Sequence, residues 1–389
     1  MRSAADALDY VSVFKLKIMK NRSINLVVLL LLGCLAISPA AATDAEPQHV
    51  WVHYDYMVFP PGWTPYAGVT FPNGLSMAPS TAAIEKVIDA FAAQGITLHI
   101  DPIHNAIPGR LVTIPDYDPW WQTTQACVGS DAVGILALRQ QYFRPHGDHP
   151  WHYAIFGYNV GLPFTHADGS ACGLDPVCGV PPDPNSSGNS ELPGFNFILA
   201  LGTFSDNTGI PISSIPDITV GAIFMHELGH NFGLEHGGVF PPPESCRAYK
   251  PNYISVMNYF NYANGIPYAA MPGSSTPIGW RLDYSRFTGL TLNEADLDEF
   301  AGVGGPPGDT DIVQYCGVGR AGCSLLGPSV GPIDWNNNGV IEAHAAVDID
   351  GDDGFADNIL RGFDDWTYVK QQLQRPPDEI DHLPKRAVH

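Results

Sequence analysis

The chain has 389 residues, 45% of them hydrophobic, and a formal net charge of −21 at pH 7. This apolar content supports a substantial core and excludes wholesale disorder. The acidic excess argues against nucleic acid or an anionic membrane surface as a partner. The 40 glycines and 35 prolines favour a loop-rich fold over a helical bundle.

Residues 1–42 have the pattern of an export signal rather than of a folded domain. Basic residues between Lys15 and Arg22 precede an apolar run at Ile24–Ser38, and an Ala-x-Ala site at Ala40–Ala42 predicts cleavage near Thr43. We therefore expect a secreted or periplasmic protein, with a lipid anchor at Cys34 as the alternative. No later stretch approaches the ~18 apolar residues that a membrane span needs.

Residue periodicity predicts the main elements of the remaining chain. Runs of β-forming residues predict strands at His49–Phe59, Ile96–Asp101, Trp151–Val160 and Phe195–Gly202. Helical spacing of apolar residues predicts helices at Thr81–Gly95, Val220–Leu234, Thr291–Gly302 and Asp364–Gln374. Strands with one early helix, followed by further helices, are typical of an α+β fold.

Six cysteines follow the signal, and an even number in an exported chain predicts three disulfides. Six cysteines allow fifteen connectivities. Short spacings favour Cys172 with Cys178 and Cys316 with Cys323, which leaves Cys127 with Cys246. Free buried thiols are the alternative.

The stretch FMHELGHNFGLEHGG (224–238) holds three histidines at metal-ligand spacing. His226 and His230 are four residues apart and share one face of a helix. Gly233 permits the turn that would bring His236 to the same ion. Three protein ligands leave one position for water, which is the mark of a catalytic zinc site. Glu227 lies beside that position as general base, and then acid, for amide hydrolysis.

The full pattern His-Glu-x-x-His-x-x-Gly-x-x-His, with the later segment SVMNY around Met257, resembles the metzincin clan of zinc metallopeptidases. The resemblance implies that Met257 forms a hydrophobic floor under the zinc histidines. It also implies that Tyr259 stabilises the transition state, as in astacins and serralysins. The implied catalytic domain, 43–302, has a twisted mixed sheet, a covering helix and the active-site helix, and precedes a loop-rich C-terminal region at 303–389. The strand at 195–202 is expected to be the edge strand that pairs with a peptide substrate.

One position departs from the well-known metzincin families. The residue after the third histidine is Gly237, and it differs from the residue that astacins, adamalysins, matrixins and serralysins carry at this position. Together with Leu282–Arg286 and Leu292–Glu299, this glycine makes the chain most similar to a poorly characterised group of exported bacterial metzincin-like proteases. Substrate preference is therefore not transferred from the better-known families.

Two acidic segments near the C-terminal end are candidates for calcium binding. Residues 334–342 begin like an EF-hand loop but lack its bidentate glutamate, and residues 348–354 alternate acids with other residues. An acidic turn without metal is the alternative. The candidate calcium ligands are Asp334, Asn336, Asn338, Asp348, Asp350 and Asp352.

These observations predict an exported zinc-dependent endopeptidase that acts on proteins or peptides, with Zn²⁺ as cofactor and Ca²⁺ as a stabilising ion. The first alternative is a zinc aminopeptidase on the same scaffold. The second is a calcium-dependent binding protein with a vestigial zinc site, which the intact Glu227 argues against.

Overall fold

A mixed β-sheet of eight strands lies at the centre of the structure. The computed structural model describes residues 48–66, 69–109, 112–113, 133–158, 186–317, 323–351, 358–376, 379 and 386–388. The strands of these residues are β1 (Gln48–Phe59), β2 (Trp63–Tyr66), β3 (Val69–Phe71), β4 (Leu75–Ser76), β5 (Ile96–Ile100), β6 (Ala106–Pro108), β7 (Val112–Thr113), β8 (Val133–Gly134), β9 (Trp151–Gly157), β10 (Gly188–Leu192), β11 (Asn196–Ala200), β12 (Ile266–Tyr268), β13 (Gly279–Arg281), β14 (Leu292–Asn293), β15 (Ile312–Tyr315), β16 (Leu325–Pro328), β17 (Ile359–Leu360) and β18 (Arg386–Val388).

The sheet has the strand order β18-β10-β11-β9-β1-β4, and β5 and β6 also pair with β1. β1 runs parallel to β5, β6 and β9, and β9 runs parallel to β11. β10 reverses direction and pairs antiparallel with both β11 and β18. The remaining strands of the described residues form two-stranded sheets.

Five α-helices occur within the described ranges, so the predicted α+β class is confirmed. They are α1 (Thr81–Ala92), α2 (Ile135–Tyr142), α3 (Leu201–Thr208), α4 (Asp217–Asn231) and α5 (Asp365–Gln372). Ser80 caps α1 by accepting a hydrogen bond from the Ala83 amide, and Asp364 caps α5 in the same way through Thr367. None of the described helices is long and apolar enough to cross a membrane.

The main hydrophobic core fills the space between the sheet, α1 and α4. α4 is buried on nearly all sides, from Thr219 to Asn231, so it passes through this core rather than over it. A second, smaller cluster includes Ile254, Trp335 and Leu360 and supports the irregular C-terminal half of the chain.

Two expectations from the sequence are wrong. Residues 291–302 form no helix; after the short strand β14 they continue as turns. The buried carboxylates of Glu294 and Glu299 explain this, because they accept backbone hydrogen bonds from distant segments, at Asn358 and Glu342 among others. The strand at 195–202 is not an edge strand either, because β11 lies between β9 and β10 and the chain then enters α3.

Candidate metal centre and active site

His226 and His230 project from one face of α4 and are both buried. The Nδ1 atom of His226 lies 2.8 Å from the Val256 carbonyl oxygen, and that of His230 lies 2.7 Å from the Leu234 carbonyl oxygen. A carbonyl only accepts, so each ring must carry its proton on Nδ1. Each Nε2 atom therefore presents a lone pair to the interior of the site.

The two Nε2 atoms lie 3.1 Å apart. Two lone pairs that face each other at this distance repel unless a proton or a cation lies between them. Zinc–nitrogen bonds of about 2.05 Å at the tetrahedral angle would separate two ligand nitrogens by about 3.3 Å. The spacing of the two imidazoles therefore fits a shared metal ion.

His236 completes the cluster from the turn after α4. The ligand atoms of the three histidines all lie within 4.8 Å of one another. Gly233 has φ 95°, a conformation that the turn requires and that glycine adopts without strain. Burial lowers the pKa of His226 to about 4, so this ring is neutral and suited to metal binding.

Gly237 and Lys250 explain how the turn that carries His236 is held. A Cβ at Gly237 would lie 2.3 Å from the Glu244 carbonyl oxygen, so the packing leaves room only for glycine at this position. The Lys250 ammonium is fully buried and donates to the carbonyl oxygens of Gly237 and Arg361 and to the Glu244 carboxylate. The glycine at this position therefore has a packing reason, which is the close approach of the Gly237 backbone to the Glu244 carbonyl.

Glu227 follows His226 on α4, and its side chain contacts β10. A Cβ added to Gly188, the first residue of β10, would come within 2.1 Å of the Glu227 Oε1 atom. Burial raises the pKa of Glu227 well above its usual range. Its Oε2 atom has no hydrogen-bond partner among the described residues. A buried carboxyl with an uncommitted oxygen is suited to exchanging a proton with a small molecule at the site.

Met257 packs beneath α4. It is fully buried, and a Cβ at Gly229 would lie 2.4 Å from its Sδ atom, so the Met257 side chain packs directly on the α4 backbone at Gly229. The Met257 amide donates to Ser255 Oγ, and that hydroxyl donates to the Asp365 carboxylate on α5 (2.5 Å). The turn under the histidines is therefore fixed by α5.

Two tyrosine rings flank the histidines. The ring centroid of Tyr259 lies 4.5 Å from that of His236 and 6.0 Å from that of His226. Tyr262, which the sequence reasoning missed, lies 5.8 Å from His226 and 5.3 Å from Tyr259. The sequence feature that could have identified Tyr262 is its position three residues after Tyr259 in the same turn.

Asn231, also missed from the sequence, joins the end of α4 to the sheet. Its Nδ2 group donates to Ser190 Oγ and to the carbonyl oxygens of Glu191 and Asn196. Ser190 Oγ in turn donates to the Glu227 carbonyl oxygen at 2.8 Å. These bonds fix β10 directly against α4, the helix that carries His226 and His230.

A second group of metal-binding character lies in the C-terminal half. Glu294, Asp348 and Asp350 place carboxylate oxygens within 4.8 Å of one another, so this group could hold a metal ion. Glu294 was missed because it is far from the two aspartates in sequence.

Asp334 is not part of this group, and its carboxylate accepts hydrogen bonds from the amides of Asn338 and Gly339. In the same loop, the side-chain amides of Asn336 and Asn338 donate to Glu342, and Asp352 lies outside the described residues.

The predicted disulfide between Cys316 and Cys323 is confirmed. Cys246 is also disulfide-bonded. The predicted partners Cys127, Cys172 and Cys178 lie outside the described residues, as do Cys34 and the predicted signal.

Comparisons with known proteins give no further assignment. No family model, no characterised protein and no solved structure matches this chain. The functional argument therefore depends on the geometry of the site and on the motif that the sequence carries.

Proposed function

We propose that the protein is an exported zinc-dependent endopeptidase of the metzincin type. The observation that carries the proposal is the convergence of three histidine ligand atoms beside a buried glutamate that the same helix supplies. The outward-facing Nδ1 atoms are satisfied by backbone carbonyls, which is the usual outer-shell arrangement of metal-binding histidines.

His226, His230 and His236 would hold the ion. Bound zinc supplies Lewis acidity, which lowers the pKa of water and polarises an amide carbonyl. Glu227 accepts the proton of the attacking water and delivers it to the leaving amine nitrogen. Because burial raises the pKa of Glu227, this carboxylate is a stronger base than an exposed glutamate. Tyr259 lies beside the ligand rings, where its hydroxyl would donate to the developing oxyanion.

The sheet supports action on extended peptides rather than on a chain terminus. β10 runs antiparallel to its neighbour and begins beside Glu227. A peptide that adds to such a strand passes the catalytic carboxylate with residues on both sides of the scissile bond. The metzincin resemblance also agrees with the position of Met257 under α4.

The carboxylate group of Glu294, Asp348 and Asp350 supports a proposal of a stabilising calcium ion. Carboxylate oxygens are the ligands that calcium prefers. The site lies in the C-terminal half and contributes no group to the histidine cluster.

The test is hydrolysis of an internally quenched peptide whose two ends are blocked. The wild-type protein loaded with zinc is compared with Glu227→Gln, which keeps the shape of the side chain but not its basicity. We expect the variant to retain one zinc per chain and to lose at least ~100-fold in kcat/KM. Cleavage only of peptides with a free amino terminus would replace the endopeptidase by an aminopeptidase. No cleavage of any peptide by zinc-loaded wild type would refute the proposal.

A further inference from the structure

The side of β10 that faces away from β11 is already paired with a segment of the same chain. β18, Arg386–Val388, runs antiparallel to β10, with Val388 opposite Ser190 and Arg386 opposite Leu192. Both sides of β10 are therefore filled by strands. A peptide can add to this strand only after β18 has left it, because one side of a strand holds one partner.

The direction of β18 leads toward the catalytic carboxylate. β10 begins at Gly188 beside Glu227 and runs away from it to Leu192. β18 runs the opposite way, so its backbone approaches Glu227 as the chain proceeds from 386 to 388. Val388 is opposite Ser190, two residues or about 7 Å along the strand from Gly188. β18 therefore has the position and polarity of the substrate residues that precede a scissile bond.

The pairing of β18 with β10 is short. It has three residue pairs, as many as join β10 to β11 and half of the six that join β9 to β1. Thirteen residues separate the end of α5 at Gln372 from the start of β18 at Arg386. A connection of this length keeps the segment at an effective concentration of roughly millimolar near the strand. Such a tether allows a weak strand to compete with a bimolecular substrate.

We propose that Arg386–Val388 is an intramolecular competitor that occupies the substrate strand of the active site and lowers the affinity for peptides until it is displaced. The inference rests on the proposed endopeptidase function for its catalytic consequence. Its structural part, exclusion of a peptide from β10 by β18, does not depend on hydrolysis.

The first experiment releases the segment after the protein has folded. The recognition sequence of an unrelated site-specific protease replaces residues 380–385 in the full chain, and the purified protein is assayed before and after cutting. The uncut sample and a variant with a scrambled, uncleavable sequence are the controls. Circular dichroism and the unfolding temperature are measured on each sample.

Two readouts separate this inference from the proposed function. One is KM for the end-blocked quenched peptide, which we expect to fall at least about fivefold on cutting, with little change in kcat. The other uses Glu227→Gln protein and a fluorescein-labelled synthetic peptide, PKRAVH, whose sequence is that of residues 384–389. Fluorescence polarisation should show at least tenfold tighter binding to the cut protein than to the uncut protein.

A second variant pair tests the same strand without cutting. Successive amides of a strand point to opposite sides, so the double substitution Arg386→Pro with Ala387→Pro removes at least one amide that faces β10. Arg386→Ala with Ala387→Ser keeps both amides and is the matched control. The proline variant should bind the labelled peptide like the cut protein, and the control should behave like the wild type.

The possible outcomes each decide the inference. Tighter peptide binding without hydrolysis by any form would support the competitor and refute the endopeptidase. Hydrolysis with equal KM and equal peptide binding before and after cutting would refute the competitor and retain the endopeptidase. A lower unfolding temperature with no gain in peptide binding would identify β18 as a structural strand and also refute the competitor.

Discussion

The Asp365 carboxyl is expected to make the stability of the protein depend on pH. It is fully buried and accepts hydrogen bonds from Tyr253 Oη, Ser255 Oγ and the Ser285 amide. Burial outweighs these bonds and raises its pKa from 3.8 to about 7. The folded protein therefore holds this proton more tightly than the unfolded chain. The bound proton of Asp365 contributes fully to the free energy of unfolding below about pH 4. This contribution, roughly 4 kcal/mol, is lost as the pH rises through about 7.

The substitution Asp365→Asn removes this titration while it keeps an acceptor oxygen. Relative to wild type, the variant should be markedly less stable at pH 4.5. The difference in free energy of unfolding between the two proteins should be about 3 kcal/mol smaller at pH 8. The assay is urea unfolding of the metal-free proteins, followed by tryptophan fluorescence at both pH values. Val369→Ala, at a buried and non-titrating position of the same helix, is the control and should lower the free energy of unfolding by the same amount at both pH values. A gap that is equal at both pH values would refute the assignment of the buried proton to Asp365.

Three further substitutions test the two candidate metal sites. Gly229→Ala drives a Cβ into Met257 Sδ and should destabilise the protein by about 1–3 kcal/mol in urea unfolding; an unchanged midpoint would contradict the contact. Gly237→Ala meets the Glu244 carbonyl and should weaken zinc binding at least tenfold in a competition titration with a chromogenic chelator, whereas equal affinity would show that the turn can move. Calcium at 100 times its Kd should raise the unfolding temperature of wild type by about 5 °C. Glu294→Gln should abolish that rise, and an equal rise in the variant would place the ion elsewhere.

The parts of the fold that depend on local sequence could be predicted. α4 was expected because its apolar and histidine positions share a helical period, and it ends where Gly233 permits the turn. α1 and α5 were expected from their caps and apolar spacing. In each case the residues that predict the helix lie within the helix or directly at its ends.

The parts that depend on distant contacts could not be predicted. In the sheet, β11 lies between β9 and β10, and β10 lies between β11 and β18. No local sequence pattern encodes which strand forms the edge of a sheet. The acidic, helix-like pattern of residues 291–302 gave a false helix, because Glu294 serves as an acceptor for the amides of Ile349 and Asn358. Asn231 and Lys250 were overlooked for the same reason, since their roles depend on partners that approach only in the folded chain.

The candidate metal centre is held by two segments that are far apart along the chain. α4 supplies two of the ligand histidines, but the turn beneath it is fixed through Ser255 to Asp365 on α5. The turn that carries His236 is fixed through Lys250 to the Arg361 carbonyl, just before that helix. Residues after 303 therefore orient the ligands even though they contribute none of the three histidines. β18 follows the same helix along the chain, so the proposed competitor is tethered to the helix that supports the candidate site.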